Sequence, residues 1–112
     1  MKASLLVAVV ADPIEETAVR IAREAGARGV TILPAGGIGF PEHVTFFGLT
    51  FTGFMKTLLW VLDADSAARL AERLNRELDL IQPFQGLAFC LPIESVCGFD
   101  PDAVHASMLS GS

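Results

Sequence analysis

The sequence predicts one α+β domain with the element order β-α-β-β-α-β. Three observations carry this expectation. Apolar runs of strand length recur along the chain, two amphipathic stretches are each entered through an aspartate, and the halves echo each other weakly, LLVAVVADPIEETAVRIARE against LLWVLDADSAARLAERLNRE. The first run, Ser4–Ala11, is Val-rich and unbroken by charge, as a buried central strand would be. Asp12, Pro13 and Glu15 then have the spacing of a capping box with proline at the first helical position. Ile14, Ala18, Ile21, Ala22 and Ala25 make one apolar stripe, Glu16–Arg20 and Arg20–Glu24 pair on the wet face, and Gly26 stops the helix.

Gly29–Pro34 reads as the second strand, with Pro34 arguing for an edge position. Ala35–His43 is too glycine-rich for regular structure. Phe47, Leu49 and Phe51 then alternate with small or polar residues, as in a strand or hairpin running on into Thr57–Leu62. Asp63 and Asp65 bracket a second helix start. Its stripe is Ala67, Leu70, Ala71, Leu74 and Leu78, with Glu72–Arg76 and Arg73–Glu77 as charged pairs. Leu80–Gln85 is a loop, and Gly86–Ile93 is the last strand, with Pro92 again pointing to an edge. Glu94 onward reads as a tail.

Two β-α-β units of this kind form a four-stranded antiparallel sheet with both helices on one face, the ferredoxin-like arrangement. The strand order 4-1-3-2 places both proline-bearing strands at edges. It also leaves the second face uncovered, although strands 1 and 3 are apolar on both sides: Leu5, Val7 and Val9 against Leu6, Ala8 and Val10, and Leu58, Trp60 and Leu62 against Leu59 and Val61.

Composition points the same way. The chain has 112 residues, 52% of them hydrophobic and 19% charged. With its ten glycines the apolar share rises to roughly 61%, where ordinary soluble domains have about 45–50%. A domain of this length buries only about two-thirds of its unfolded surface. The surplus needs a membrane or another subunit. The charge-free stretches Gly29–Pro41 and Val44–Met55 fall short of the 18 to 20 or so apolar residues of a spanning helix, so another subunit is expected. Lys2 precedes the apolar start, but Asp12-Pro13 and a charged amphipathic segment follow that run at once, so no secretory signal is expected. A net charge of −5 without a basic cluster argues against nucleic acid. Two cysteines imply no disulfide framework, and a reducing cytoplasm is the expected location.

The segments GVTILPAGGIG (29–39) and QPFQGLAFCLPIESV (82–96), separated by a long connection, resemble the PII family of nitrogen-regulatory signalling proteins, in particular its divergent PII-like members. The resemblance spans Leu5–Cys97. It implies a domain over 1–97 with a T-loop-like connection over 35–55 and a C-terminal tail over 98–112. It further implies a homotrimer packed through its sheets, a small effector in clefts between subunits (an adenine nucleotide such as AMP or ADP, or another ligand), and control of a membrane transporter or enzyme through the loop. The implied effector residues are Thr31, Gly36, Gly37, Ile38, Gly39, Phe84, Gln85 and Gly86. The implied partner-binding residues of the loop are Glu42, His43, Phe46 and Phe54. No catalytic residue, resident cofactor, metal ligand, nucleic-acid contact or membrane insertion is implied.

Departures from the family pattern bear on the ligand. Phe40-Pro41 stands where the family has the glutamine that helps hold Mg-ATP. Leu80–Gly86 carries no cation, and Glu94, Ser95, Cys97 and Asp100 stand in place of arginines. Three cationic contacts to a polyphosphate are gone, which favours a less charged effector. The chain has no tyrosine, so uridylylation has no acceptor.

Each candidate also has a plainer reading. Gly36, Gly37 and Gly39 suit an anion-binding nest or simply a tight turn. Glu42-His43 suits a metal- or pH-sensitive contact or a solvated loop tip. Cys90 suits packing or a redox pair with Cys97, and His105 lies in the tail. The phenylalanines 46, 47, 51 and 54 and Trp60 suit stacking or core. No nucleophile–base pair is visible, so no enzymatic activity is expected. An alternative of a different class is a CutA-like trimeric protein responding to divalent metals.

Overall fold

The computed structural model describes residues 1–35, 55–82 and 85–111, with side chains to Leu109. It is a ferredoxin-like α+β domain. Strands β1 (Ala3–Ala11), β2 (Thr31–Ala35), β3 (Met55–Asp63) and β4 (Gly86–Ile93) alternate with helices α1 (Glu15–Glu24), α2 (Ala64–Glu77) and α3 (Pro101–Gly111) in the order β1-α1-β2-β3-α2-β4-α3. The sheet order is β2-β3-β1-β4 and every neighbouring pair is antiparallel. The expected order is thus found. Pro34 and Pro92 sit on the edge strands, where a missing N–H breaks no ladder bond on the outer side.

Strand alternation divides the apolar residues between the two faces. Leu6, Ala8 and Val10 of β1 and Leu58, Trp60 and Leu62 of β3 point toward the helices and are at most 4% exposed. They meet Ala18, Ile21 and Ala22 of α1 and Ala67, Leu70 and Leu74 of α2. Both helical stripes therefore lie where their spacing predicts. Gly26 ends α1 with φ 108°, and the Ala27 amide donates back to the Ala22 carbonyl at 3.0 Å.

Two local expectations are corrected. Asp12 and Glu15 do not form a capping box. Residues Asp12–Ile14 make a 3₁₀ turn without a side-chain cap, and both carboxylates turn instead to Lys56 of β3, at 3.6 and 3.3 Å. The hydrogen bond and charge of Glu15, with a smaller contribution from Asp12, raise the Lys56 pKa. Of the charged pairs expected on the helices, Arg73–Glu77 is formed.

The second correction concerns the segment after β4. Residues 101–111 are a helix rather than a tail. Asp100 accepts from the Asp102 amide through Oδ1 at 3.1 Å, ahead of Pro101 at the first helical position. Met108 is 4% exposed and Val104 packs beside it, both against the core of β3 and the helices. All three helices thus share one face. Truncation checks this placement: Met108→Ala is expected to lower the unfolding free energy by about 2–4 kcal/mol in urea titration. A freely hanging segment would give no change.

Candidate functional site

The face of the sheet turned away from the helices is built almost wholly from apolar side chains. Register sets three rows across it: Leu91–Leu5–Val61, then Phe89–Val7–Leu59–Thr31, then Leu87–Val9–Thr57–Leu33, with Met55 and Ala35 beyond. No charged residue stands in these three rows; the next row, Ile93–Ala3–Asp63, ends in Asp63, whose buried carboxylate caps α2. Val7, Val9 and Met55 are buried among their neighbours, whereas Leu33, Val61 and Leu91 are 47%, 38% and 49% exposed. Apolar surface of this continuity marks an interaction face.

Thr31 opens β2 at the margin of this face and is exposed. A shallow cavity of ≈ 420 Å³ lies there, lined by Leu5, Gly29, Val30, Thr31, Leu59 and Val61. Around the edge of β3, a groove of ≈ 390 Å³ runs between the α1–β2 connection and α3, lined by Gly26, Arg28, Val61, Val104 and Ser107 among others. Both volumes fall within the range of small-molecule sites, about 300–1,000 Å³. Arg28 Nε donates to Ser107 Oγ at 3.1 Å, and that hydroxyl donates to the Gly26 carbonyl at 3.2 Å, which fastens α3 to the connection. Arg28 is a cation beside the Thr31 cavity that the motif comparison passes over.

Gln85 and Gly86 lie at the other edge of the sheet. The Gln85 side chain donates from Nε2 to the Leu78 carbonyl at 2.8 Å, closing the end of α2, and its own carbonyl accepts from the Ala11 amide at 3.0 Å. Gly86 has φ 137°, and a Cβ there would lie 2.1 Å from the Val9 carbonyl oxygen. Glycine is therefore required by close backbone approach. Strands β3 and β1 separate this turn from Thr31 by roughly 14 Å across the sheet at ordinary strand spacing, and the turn is level with Pro34, about 10 Å further along the strands. One chain does not bring the two together. Gly36, Gly37, Ile38, Gly39 and Phe84, and the loop residues Glu42, His43, Phe46 and Phe54, lie outside the described residues. Cys90 and Cys97 are free and exposed, so Cys90 is not the packed residue its strand position suggests; partial burial raises the Cys90 pKa, while the Ser4 hydroxyl opposes the rise.

A further cluster escaped the sequence reading. Asp63 ends β3, is fully buried, and caps α2 by accepting from the Ser66 amide through Oδ2 at 3.0 Å. His105 of α3 reaches the same oxygen with Nδ1 at 2.8 Å. Asp63 Oδ1 is buried without a hydrogen-bond partner among the described residues, a situation that typically costs about 1–3 kcal/mol and more for a charged group. Burial pushes the Asp63 carboxyl up, but the Ser66 hydroxyl and amide and the nearby His105 outweigh it and hold the group below its usual range. The signal in the sequence was slight: an aspartate before Ala64-Asp65-Ser66 reads as a cap, and nothing local ties it to a histidine 42 residues on.

Two outcomes follow. Gly86→Ala is expected to cost about 2–4 kcal/mol or prevent folding, through overpacking and left-handed strain, as read by thermal denaturation. Because the folded Asp63 carboxyl is more acidic than the unfolded one, the stability it lends is complete above about pH 5 and disappears as pH falls through the depressed folded value. Asp63→Asn should lower neutral-pH stability by about 1–2 kcal/mol and flatten the acid limb of a melting-temperature profile.

No family profile and no curated protein sequence matches the chain. Solved structures do. A PII-like signalling protein from Thermus thermophilus superposes with a TM-score of 0.63 at 22% identity, covering 83% of this chain and 87% of that one. CPII of Thiomonas intermedia, bound to ADP and bicarbonate, gives 0.61 at 15% identity over 83% and 87%. The apo form of CPII, a nitrogen regulatory PII-like protein, gives 0.56 at 16% identity over 83% and 90%. The chain has the fold of the PII-like signalling proteins.

Proposed function

We propose that the chain is a PII-like regulatory protein. It assembles as a homotrimer through the apolar sheet face and takes a small effector in clefts between copies. Residues 35–55 then carry the ligand state to a membrane transporter or an enzyme, with Glu42, His43, Phe46 and Phe54 as contacts. The observation that carries this reading is the separation of the half-sites. Thr31 and its cavity lie at one edge of the sheet and the Gln85-Gly86 turn at the other, joined by an apolar face. Packing a second copy on that face brings the edge of one chain near the opposite edge of its neighbour.

The effector we favour is an adenine nucleotide of low charge, AMP or ADP. ADP is bound in the CPII structure that shares the fold. Thr31 offers a hydroxyl at an apolar cavity, and Arg28 offers a cation nearby, while the turn before β4 has none. One arginine suits one or two phosphates better than three. Gly36, Gly37, Ile38 and Gly39 would add backbone amides, and Phe84 an aromatic surface.

A calorimetric panel of AMP, ADP, ATP, Zn²⁺ and Cu²⁺ tests the reading. Saturable heat with AMP or ADP, weakened about five- to tenfold in Thr31→Ala by loss of a hydroxyl hydrogen bond, is the expected result. Metal heat abolished by His43→Ala, with none from any nucleotide, would replace it with the CutA-like alternative.

A further inference from the structure

Asp63, Asp65 and His105 meet where the end of β3, the start of α2 and the middle of α3 converge. One carboxylate oxygen from each aspartate and one ring nitrogen of His105 lie within 4.8 Å of one another. Asp63 is buried, His105 half-buried and Asp65 exposed, so the cluster is anchored on one side and open to solvent on the other. Residues from two helices and a strand supply it, and 42 residues separate Asp63 from His105.

The Asp63 carboxylate carries the argument. Oδ2 is engaged twice, by the Ser66 amide and by His105 Nδ1. Oδ1 of the same group is buried and has no donor among the described residues. Buried carboxylate oxygens ordinarily have a donor or a cation. The ion-pair partner of Asp63 among the described residues is His105, whose charge depends on protonation. The cap alone accounts for one oxygen and leaves the other unexplained.

We propose that this junction binds a divalent cation, with Asp63, Asp65 and His105 as ligands and solvent in the remaining positions. An imidazole with two carboxylates suits Zn²⁺, which takes nitrogen and oxygen ligands at about 2.0–2.2 Å. Mg²⁺ and Ca²⁺ prefer oxygen alone. The positive end of α2 opposes a cation here, but two carboxylates outweigh a terminus equivalent to about half a charge. Ligation through Nδ1 requires the neutral ring with its proton on Nε2, so the metal displaces the present contact between His105 and Oδ2. A bound ion would pin α3 to β3 and α2. Val104 and Ser107 of α3 wall the groove that adjoins the Thr31 cavity, so the site would stiffen that wall.

The test uses the full chain carrying Cys90→Ser and Cys97→Ser, which removes exposed thiols that bind zinc on their own. Titration with Zn²⁺ is followed by calorimetry and by melting temperature. One saturable site per chain is expected, with zinc raising the melting temperature. His105→Gln and Asp65→Asn, both spared the cap made by Asp63, are each expected to weaken binding at least about tenfold. Asp65 is exposed, so its variant remains informative if loss of His105 loosens α3. Zinc affinity unchanged in both variants, or no saturable zinc binding by the folded parent, would overturn the site and leave Asp63 and His105 as a latch holding α3. Nucleotide heat is measured separately, so either result leaves the effector reading to its own test.

Discussion

The constraint on which the structure depends is that a four-stranded sheet has two faces and the helices among the described residues cover one. β1 and β3, at the centre, are apolar in both directions. The inward set, Leu6, Ala8, Val10, Leu58, Trp60 and Leu62, is closed by α1, α2 and α3. The outward set carries Leu33, Val61 and Leu91 exposed and no charge in its three apolar rows. Burying each such side chain is worth about 1.5–3 kcal/mol, so association of copies is a strong outlet for the surplus. The same geometry divides the proposed effector site, since Thr31 and the Gln85-Gly86 turn occupy opposite edges of the sheet.

A second constraint sits at the end of β3. Asp63 terminates the strand, caps the next helix and receives the third, so one carboxylate organises three elements. Its burial is tolerated because hydrogen bonds from Ser66 and His105 offset the lost hydration. α3 is held at a second point by the Arg28–Ser107–Gly26 chain, beside the groove. The helix thus spans the distance between a buried acid and a surface cavity.

Much of this architecture was legible in the residues. Period-two and period-3.6 patterns identify the four strands and two helices, and Pro34 and Pro92 decide which strands are edges. These signals are local and repeated. What the sequence concealed depends on contacts between distant segments. Asp12 and Glu15 look like a capping box, yet Lys56, far along the chain on β3, draws both carboxylates away. α3 has no clean apolar stripe, because its hydrophobic residues are spread around the helix, so its formation follows from Met108 and Val104 finding the core. Gln85 suggests a ligand contact by position but spends its side-chain amide on the Leu78 carbonyl. Arg28, His105 and the orphaned oxygen of Asp63 carry no sequence signature at all.

The central claim is that the bare sheet face is an interface between copies. The most direct measurement is mass in solution by light scattering, for the parent chain and for a variant with Val61→Lys and Leu91→Lys, both exposed on that face. The account predicts three times the 11.9 kDa chain mass for the parent and a folded monomer for the variant. A parent that remains monomeric at micromolar concentration would contradict it, as would a variant that assembles unchanged.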